Sequence, residues 1–156
     1  MSRFTILIVT LLLLFVMGCG GGQSDAESDQ APPPASMVEE KSDDPMSNKG
    51  IGPVKNVSLG AQVDQEMAAE GEKIYNQYCT ACHKPTEKFI GPAPKGILDR
   101  RSPEWVMNMI LNPEEMVLKD PLAKQVLIEY NMAPMANQGL TEDQARKILE
   151  YFRTIE

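Results

Sequence analysis

The sequence predicts an all-α domain, and three observations lead to this prediction. Apolar residues recur at helical spacing in the stretches 67–78 and 145–155. Side chains that cap helices stand directly before the predicted helices, and three of these caps are followed by proline. No stretch of the sequence has a pattern that predicts a β-sheet. A chain of 156 residues has room for one domain of ordinary size, which we place at residues 61–156.

Residues 1–18 have the features of an export signal. Arg3 precedes an apolar run, Phe4 to Met17, that is short for a membrane span and has the length of a signal-peptide core. The run ends in Met17-Gly18-Cys19, which resembles a bacterial lipobox, where cleavage precedes a cysteine that then carries lipid. We therefore expect a lipoprotein signal peptide at 1–18 and lipidation of Cys19. The alternative is an ordinary signal peptide with an incidental cysteine.

The composition changes abruptly after Cys19. Residues 20–22 are all glycine, residues 32–34 are all proline, and large apolar residues are scarce among the Ser and Asp residues between them. Such a composition does not bury enough apolar surface to form a packed core. We expect residues 19–60 to be the lipidated N-terminus followed by a disordered linker.

The predicted helices follow one another with short connections. Asp64 is a candidate N-cap for a helix that runs to about Gln77. Three further helices are predicted to begin at Ser102-Pro103, Asn112-Pro113 and Asp120-Pro121, and the last of these runs to about Tyr130. Thr141-Glu142-Asp143-Gln144 is a capping box that opens the final helix.

The residues expected to bind a cofactor lie in one stretch, Cys79-Thr80-Ala81-Cys82-His83. Two cysteines at this spacing, followed at once by histidine, form the pattern for covalent attachment of haem. Each thiol adds to a haem vinyl group, and the adjacent imidazole then lies on one face of the iron. A redox dithiol and half of a zinc site are the alternatives. The chain has only three cysteines and one histidine, and no βαβ pattern surrounds the motif.

The order of residues around this motif resembles the class I cytochrome c family over about residues 61–156. Gly71 and Tyr75 precede the motif, Gly91-Pro92 follows it, and Met135 lies before the last helix. The resemblance implies N- and C-terminal helices that cross around one covalently bound haem c, with Gly71 and Tyr75 at the crossing. It also implies that the Pro92 carbonyl accepts a hydrogen bond from the ring of His83. At Pro94 the family more often has leucine.

Trp105 is the sole tryptophan, and its indole N–H needs a partner if it is buried. In similar cytochromes a tryptophan in this region borders a haem propionate. A core tryptophan with a backbone partner is the equally weighted alternative.

His83 supplies only one face of an iron, and the chain contains no second histidine. The ligand on the other face of the iron is then methionine, lysine, a terminal amine or water, or that position is empty. In the resembled family the ligand is a methionine on the loop before the C-terminal helix, which favours Met135, with Met132 as its rival. Methionine opposite histidine raises the reduction potential, which suits an electron carrier.

The expected function is that of a membrane-anchored c-type cytochrome that transfers single electrons and is not an enzyme. It is expected on the periplasmic side of a bacterial membrane. The resemblance suggests a quinol-oxidising complex as donor and a terminal oxidase or an exported reductase as acceptor. The alternative is a gas sensor or peroxidase with an openable sixth position. A net charge of −7 argues against nucleic acid as a partner and suits a basic docking face on a protein partner.

Overall fold

The computed structural model describes residues 44–155. The expected signal peptide, Cys19 and the linker up to residue 43 lie outside the described residues, as does Glu156. Five α-helices and a short 3₁₀-helix make up the secondary structure of the described part. They are α1 (Gln65–Tyr78), the 3₁₀-helix (Ile97–Asp99), α2 (Pro103–Leu111), α3 (Pro113–Lys119), α4 (Pro121–Glu129) and α5 (Glu142–Phe152). None of these helices is long and apolar enough to cross a membrane.

Four of the five predicted caps are formed. Asp64, Ser102, Asp120 and Thr141 each accept a hydrogen bond from a backbone N–H in the first turn of their helix, and Gln144 completes the capping box of α5. The prediction for Asn112 was wrong, because its side chain makes no capping bond to α3. The Asn112 amide instead donates to the Ile51 carbonyl and to the Glu115 carboxylate.

The first and last helices pack directly on each other, and α2 also contacts α5. The approach is closest at Gly71, where an added Cβ would overlap the Lys147 carbonyl and come within 3.0 Å of the Ile148 nitrogen. One turn later, the buried Tyr75 ring lies 5.3 Å from the Tyr151 ring, measured between centroids. The expected crossing of the terminal helices is therefore confirmed.

Residues 48–59 form an irregular segment, here called the strap, that packs against α2 and α3. Val54 is 2% exposed, and its backbone N–H donates to the Asn108 side chain at 3.0 Å. The Ile51 N–H donates to the thioether of Met116, and the Val57 N–H donates to the Glu104 carboxylate. The segment from Asn48 to Gly60, predicted to be linker, is thus part of the packed unit.

Candidate functional site

Cys79 and Cys82 lie in the turn that continues from the end of α1. Cys79 is the C-cap of α1, and its N–H donates to the Tyr75 carbonyl at 2.8 Å. The Cys79 carbonyl then accepts from the N–H groups of Cys82 and His83, at 3.1 and 2.9 Å. Both thiols are free, with Cys82 exposed and Cys79 partly buried. One helical turn therefore carries both thiols and the imidazole, which is the placement that two attachment points and one iron ligand require.

Burial, and after it the charge of Cys82, raises the pKa of the Cys79 thiol to about 11. At neutral pH this thiol is therefore protonated. The thiolate is the nucleophilic form of a cysteine, so in the folded chain Cys79 is present mainly as the less reactive thiol.

The His83 ring is oriented by a backbone acceptor. Its Nδ1 lies 2.7 Å from the Pro92 carbonyl oxygen. Because a carbonyl can only accept, Nδ1 carries the proton, and in a neutral imidazole Nε2 then keeps its lone pair. The turn that carries Pro92 is tied to the motif by the Gly91 N–H, which donates to the Cys82 carbonyl at 2.8 Å. The hydrogen bond expected between Pro92 and His83 is present.

Gly91 lies against the face of the His83 ring. An added Cβ at Gly91 would come within 2.8 Å of Nδ1 and 3.0 Å of Nε2. A side chain at this position would therefore push the imidazole away from its bond to Pro92. The requirement for glycine here comes from this close approach.

Trp105 has a partner that neither expectation included. Its indole N–H donates to the Asp120 carboxylate at 3.1 Å, and both residues are almost fully buried. The other Asp120 oxygen accepts from the Asn48 side chain at 2.8 Å. The indole N–H is thus bonded to a side chain fifteen positions away, so the alternative of a backbone partner was wrong, while the expected position of Trp105 beside a haem propionate stays a prediction.

Arg101 was not singled out in the sequence, yet it carries the one side-chain nitrogen that is buried without a hydrogen-bond partner among residues 44–155, its Nε. Its guanidinium lies over the Trp105 ring, 5.2 Å from the centroid. Burial, together with the charge of Arg100, lowers its pKa. No pattern in the sequence distinguishes Arg101 from Arg100, because the difference arises from its stacking on Trp105.

The two candidate methionines have different surroundings. Met135 is partly buried and packs against the hydrophobic core. Met132 is 61% exposed and has a positive φ of 60°. The loop after Met135 is held by Asn137, whose amide nitrogen donates to the Leu111 carbonyl and whose oxygen accepts from the Gly139 N–H.

The site and the helical fold together define a small haem-binding helical protein, and comparisons with known proteins agree. The family model described as Cytochrome c matches residues 68–156. The chain is similar to the solved cytochrome c from Rhodothermus marinus, with 49% identity, a TM-score of 0.64, and coverage of 67% of this chain and 89% of that one. An engineered form of that cytochrome is 48% identical, with a TM-score of 0.63 and coverage of 67% and 90%.

A more distant match is the cytochrome c domain of the pp3183 protein from Pseudomonas putida. It is 28% identical, with a TM-score of 0.50, and the match covers 54% of this chain and 85% of that one. A comparison with curated proteins gives no match. The chain belongs to the cytochrome c family. Because this family binds haem c covalently, the protein is a monohaem cytochrome c, which implies electron transfer.

The residues present fit such a haem. Two free thiols and an imidazole whose Nδ1 is already bonded lie on one turn. The unpartnered Arg101 Nε is a donor suited to a carboxylate, and haem carries two carboxylate side chains.

Proposed function

We propose that this protein is an electron carrier in which Cys79 and Cys82 hold the haem by thioether bonds and His83 Nε2 is one axial ligand. The observation that carries this proposal is the bond from His83 Nδ1 to the Pro92 carbonyl, since it leaves Nε2 as the free ligand atom. When bound, the haem supplies the one-electron couple between ferric and ferrous iron. The chain supplies the ligands, their orientation and the exclusion of water.

We propose Met135 as the second axial ligand. A thioether that lies against the core reaches a buried iron at little cost in ordering, whereas the exposed Met132 would have to be drawn in from solvent. The two hydrogen bonds of Asn137 restrict the loop that carries Met135. With both axial positions filled, the iron has no vacant site for a substrate, and the protein carries electrons rather than catalyses.

A visible spectrum of the dithionite-reduced, haem-loaded protein, recorded with and without CO, tests this proposal. The expected result is sharp low-spin c-type bands that CO leaves unchanged. Met135→Ala should then bind CO and lower the reduction potential, while Met132→Ala should do neither. Ready binding of CO by the unaltered protein would contradict the proposal and favour a gas sensor or peroxidase. The opposite pattern in the two variants would move the ligand to Met132.

We further propose that the protein is held by a lipid on Cys19 at the periplasmic side of a bacterial membrane. The support is the short apolar run that ends at Gly18-Cys19 and the covalent haem motif, since c-type haem is attached outside the cytoplasmic membrane. Replacing Cys19 with serine removes the thiol that would carry the lipid, so metabolic labelling with a fatty acid should label the unaltered protein and not this variant. An unaltered protein that takes up no label would contradict the lipid anchor.

Its partners are redox proteins, and we propose that the surface a partner meets beside the haem is basic. Residues 84–101, which follow the haem motif, carry five basic and two acidic side chains, a net charge of +3 in a chain whose net charge is −7. A partner that docks here would present an acidic surface. The net charge of −7, by contrast, predicts a partner with a basic surface. A quinol-oxidising complex as donor and a terminal oxidase or exported reductase as acceptor remain the proposed partner classes.

A further inference from the structure

The Tyr75 hydroxyl links α1 to the backbone of the candidate axial histidine. The side chain is 1% exposed, and its O–H donates to the His83 carbonyl oxygen at 2.9 Å. His83 is also held by its own N–H, which donates to the Cys79 carbonyl, and by its ring, which donates to Pro92. The histidine is therefore fixed at its N–H, its ring and its carbonyl, and Tyr75 provides the third of these contacts.

The packing of the Tyr75 ring does not require its hydroxyl. The ring packs against two rings of α5, tilted to Tyr151 at a centroid distance of 5.3 Å and edge-to-face with Phe152 at 5.7 Å. Phenylalanine would fill the same space, and without a partner a buried hydroxyl costs about 1–3 kcal/mol. Since this hydroxyl has the His83 carbonyl as its partner, its contribution lies in that bond rather than in the helix crossing.

The bond has an electrostatic consequence at the haem. The negative end of the His83 carbonyl dipole favours the more positive ferric form of an iron bound to the same residue. A proton donated to that oxygen partly offsets its negative charge. Loss of the donor should therefore stabilise the ferric form and lower the reduction potential.

We propose that Tyr75 is a positioning residue for the axial histidine, whose hydroxyl fixes the orientation of His83 and raises the reduction potential. This inference rests on the proposed function only in taking His83 as an iron ligand. It assigns to Tyr75 a role beyond the packing of its ring at the helix crossing.

The test compares Tyr75→Phe with Tyr151→Phe, both in the haem-loaded protein. Each variant removes one hydroxyl from a buried ring at the same helix crossing, but in the structure only the Tyr75 hydroxyl is bonded to His83. The measurements are haem content, reduction potential, and the NMR shifts of the haem methyl groups in the ferric form, which report the orientation of the axial imidazole. We expect Tyr75→Phe to load haem, to have a lower potential and to show a changed spread of methyl shifts. Tyr151→Phe should leave the potential and the methyl shifts unchanged.

A potential and methyl shifts equal to those of the unaltered protein in Tyr75→Phe would overturn the proposal, as would equal changes in both variants. If Tyr75→Phe fails to load haem, 3-fluorotyrosine at position 75 replaces it. The fluorinated phenol is a stronger donor, so the potential should rise, and an unchanged or lower potential would overturn the proposal. The spectrum of the unaltered protein decides separately whether a histidine-ligated haem is present, so the two failures are distinguishable.

Discussion

At the scale of single residues, Gly71 sets how closely the two terminal helices approach. Its missing side chain leaves room for the Lys147 carbonyl and the backbone nitrogen of Ile148. Alanine would gain up to about 1 kcal/mol in helix propensity. The overlap with backbone atoms, which cannot rotate away, forces the helices apart, and overpacking of this kind costs about 1–3 kcal/mol.

We therefore expect Gly71→Ala to lower the free energy of unfolding by up to about 2 kcal/mol, the overpacking cost less the gain in propensity. Chemical denaturation of the haem-loaded protein measures this. Gly60→Ala is the matched control, because an added Cβ there would only reach the Gln62 carbonyl oxygen at 3.4 Å, an ordinary contact distance. Equal stability of the two variants would show that the helices separate at no cost.

The hydrogen bonds that sequence analysis predicted correctly join residues that are close along the chain. The bond between His83 and Pro92 spans nine positions, and the Thr141 capping box spans three. The partner of the Trp105 indole could not be predicted in the same way. The sequence around Asp120 predicts only that it caps α4, which it does. Its bond to the Trp105 indole forms because α2 packs beside the start of α4.

At the scale of elements, the composition of the strap predicts a linker, whereas the structure shows it packed against the core. Averaged over residues 20–60 the segment is polar, but Ile51, Val54, Val57 and Leu59 are all partly or fully buried against the core. Asn108 holds the segment by accepting from the Val54 N–H and donating to the carbonyls of Lys49 and Val54. Irregular backbone whose hydrogen bonds are made to side chains leaves no helical or alternating pattern in the sequence, so the composition predicts a linker here.

The contact between α5 and the start of α1 depends on a buried carboxylate. Glu150 is 1% exposed and accepts from the Asp64 N–H at 2.8 Å and from Arg146 and Arg153. Burial raises the pKa of this carboxyl, but the bonds from Asp64 and Arg146 and the charges of both arginines outweigh burial and hold it below its ordinary value. A carboxylate with a lowered pKa stabilises the fold above its unfolded-state pKa, and this stabilisation is lost as the pH falls through the lower folded-state value.

We expect Glu150→Gln to lower the free energy of unfolding at pH 7 by about 1–3 kcal/mol, because the buried donors lose their charged acceptor. The difference from the unaltered protein should shrink as the pH falls below the unfolded-state pKa of about 4.3. Unfolding curves recorded between about pH 3 and about pH 7 measure this difference. Glu72→Gln, at an exposed position on α1, is the control and should show little difference at any pH. A Glu150→Gln deficit that does not depend on pH would contradict the role of the charge.

At the scale of the whole molecule, net charge and local charge have opposite signs. The chain is acidic, but the segment after the haem motif is basic and holds two of its lysines over aromatic rings. The Lys84 nitrogen lies 5.0 Å from the centroid of Phe89, and that of Lys88 lies 4.3 Å from Tyr130. Phe89 and Ile90 are about half exposed beside these lysines. An apolar centre with a basic margin is typical of a surface that binds an acidic partner transiently.

The salt dependence of electron transfer shows whether the net charge of the chain or the charge of the basic segment 84–101 governs the encounter with a partner. Ferrous protein gives one electron to hexacyanoferrate(III), an anionic oxidant. If the basic segment governs the encounter, the second-order rate should fall as ionic strength rises, whereas a net charge of −7 would make it rise. Replacing Lys88 and Lys95 with glutamate changes the charge of residues 84–101 from +3 to −1 and should reverse the sign of the salt dependence. Lys55→Glu, in the strap, lies outside this segment and should leave the sign unchanged. A rate that rises with salt in the unaltered protein would show that the net charge governs the encounter, and the partner would then present a basic surface.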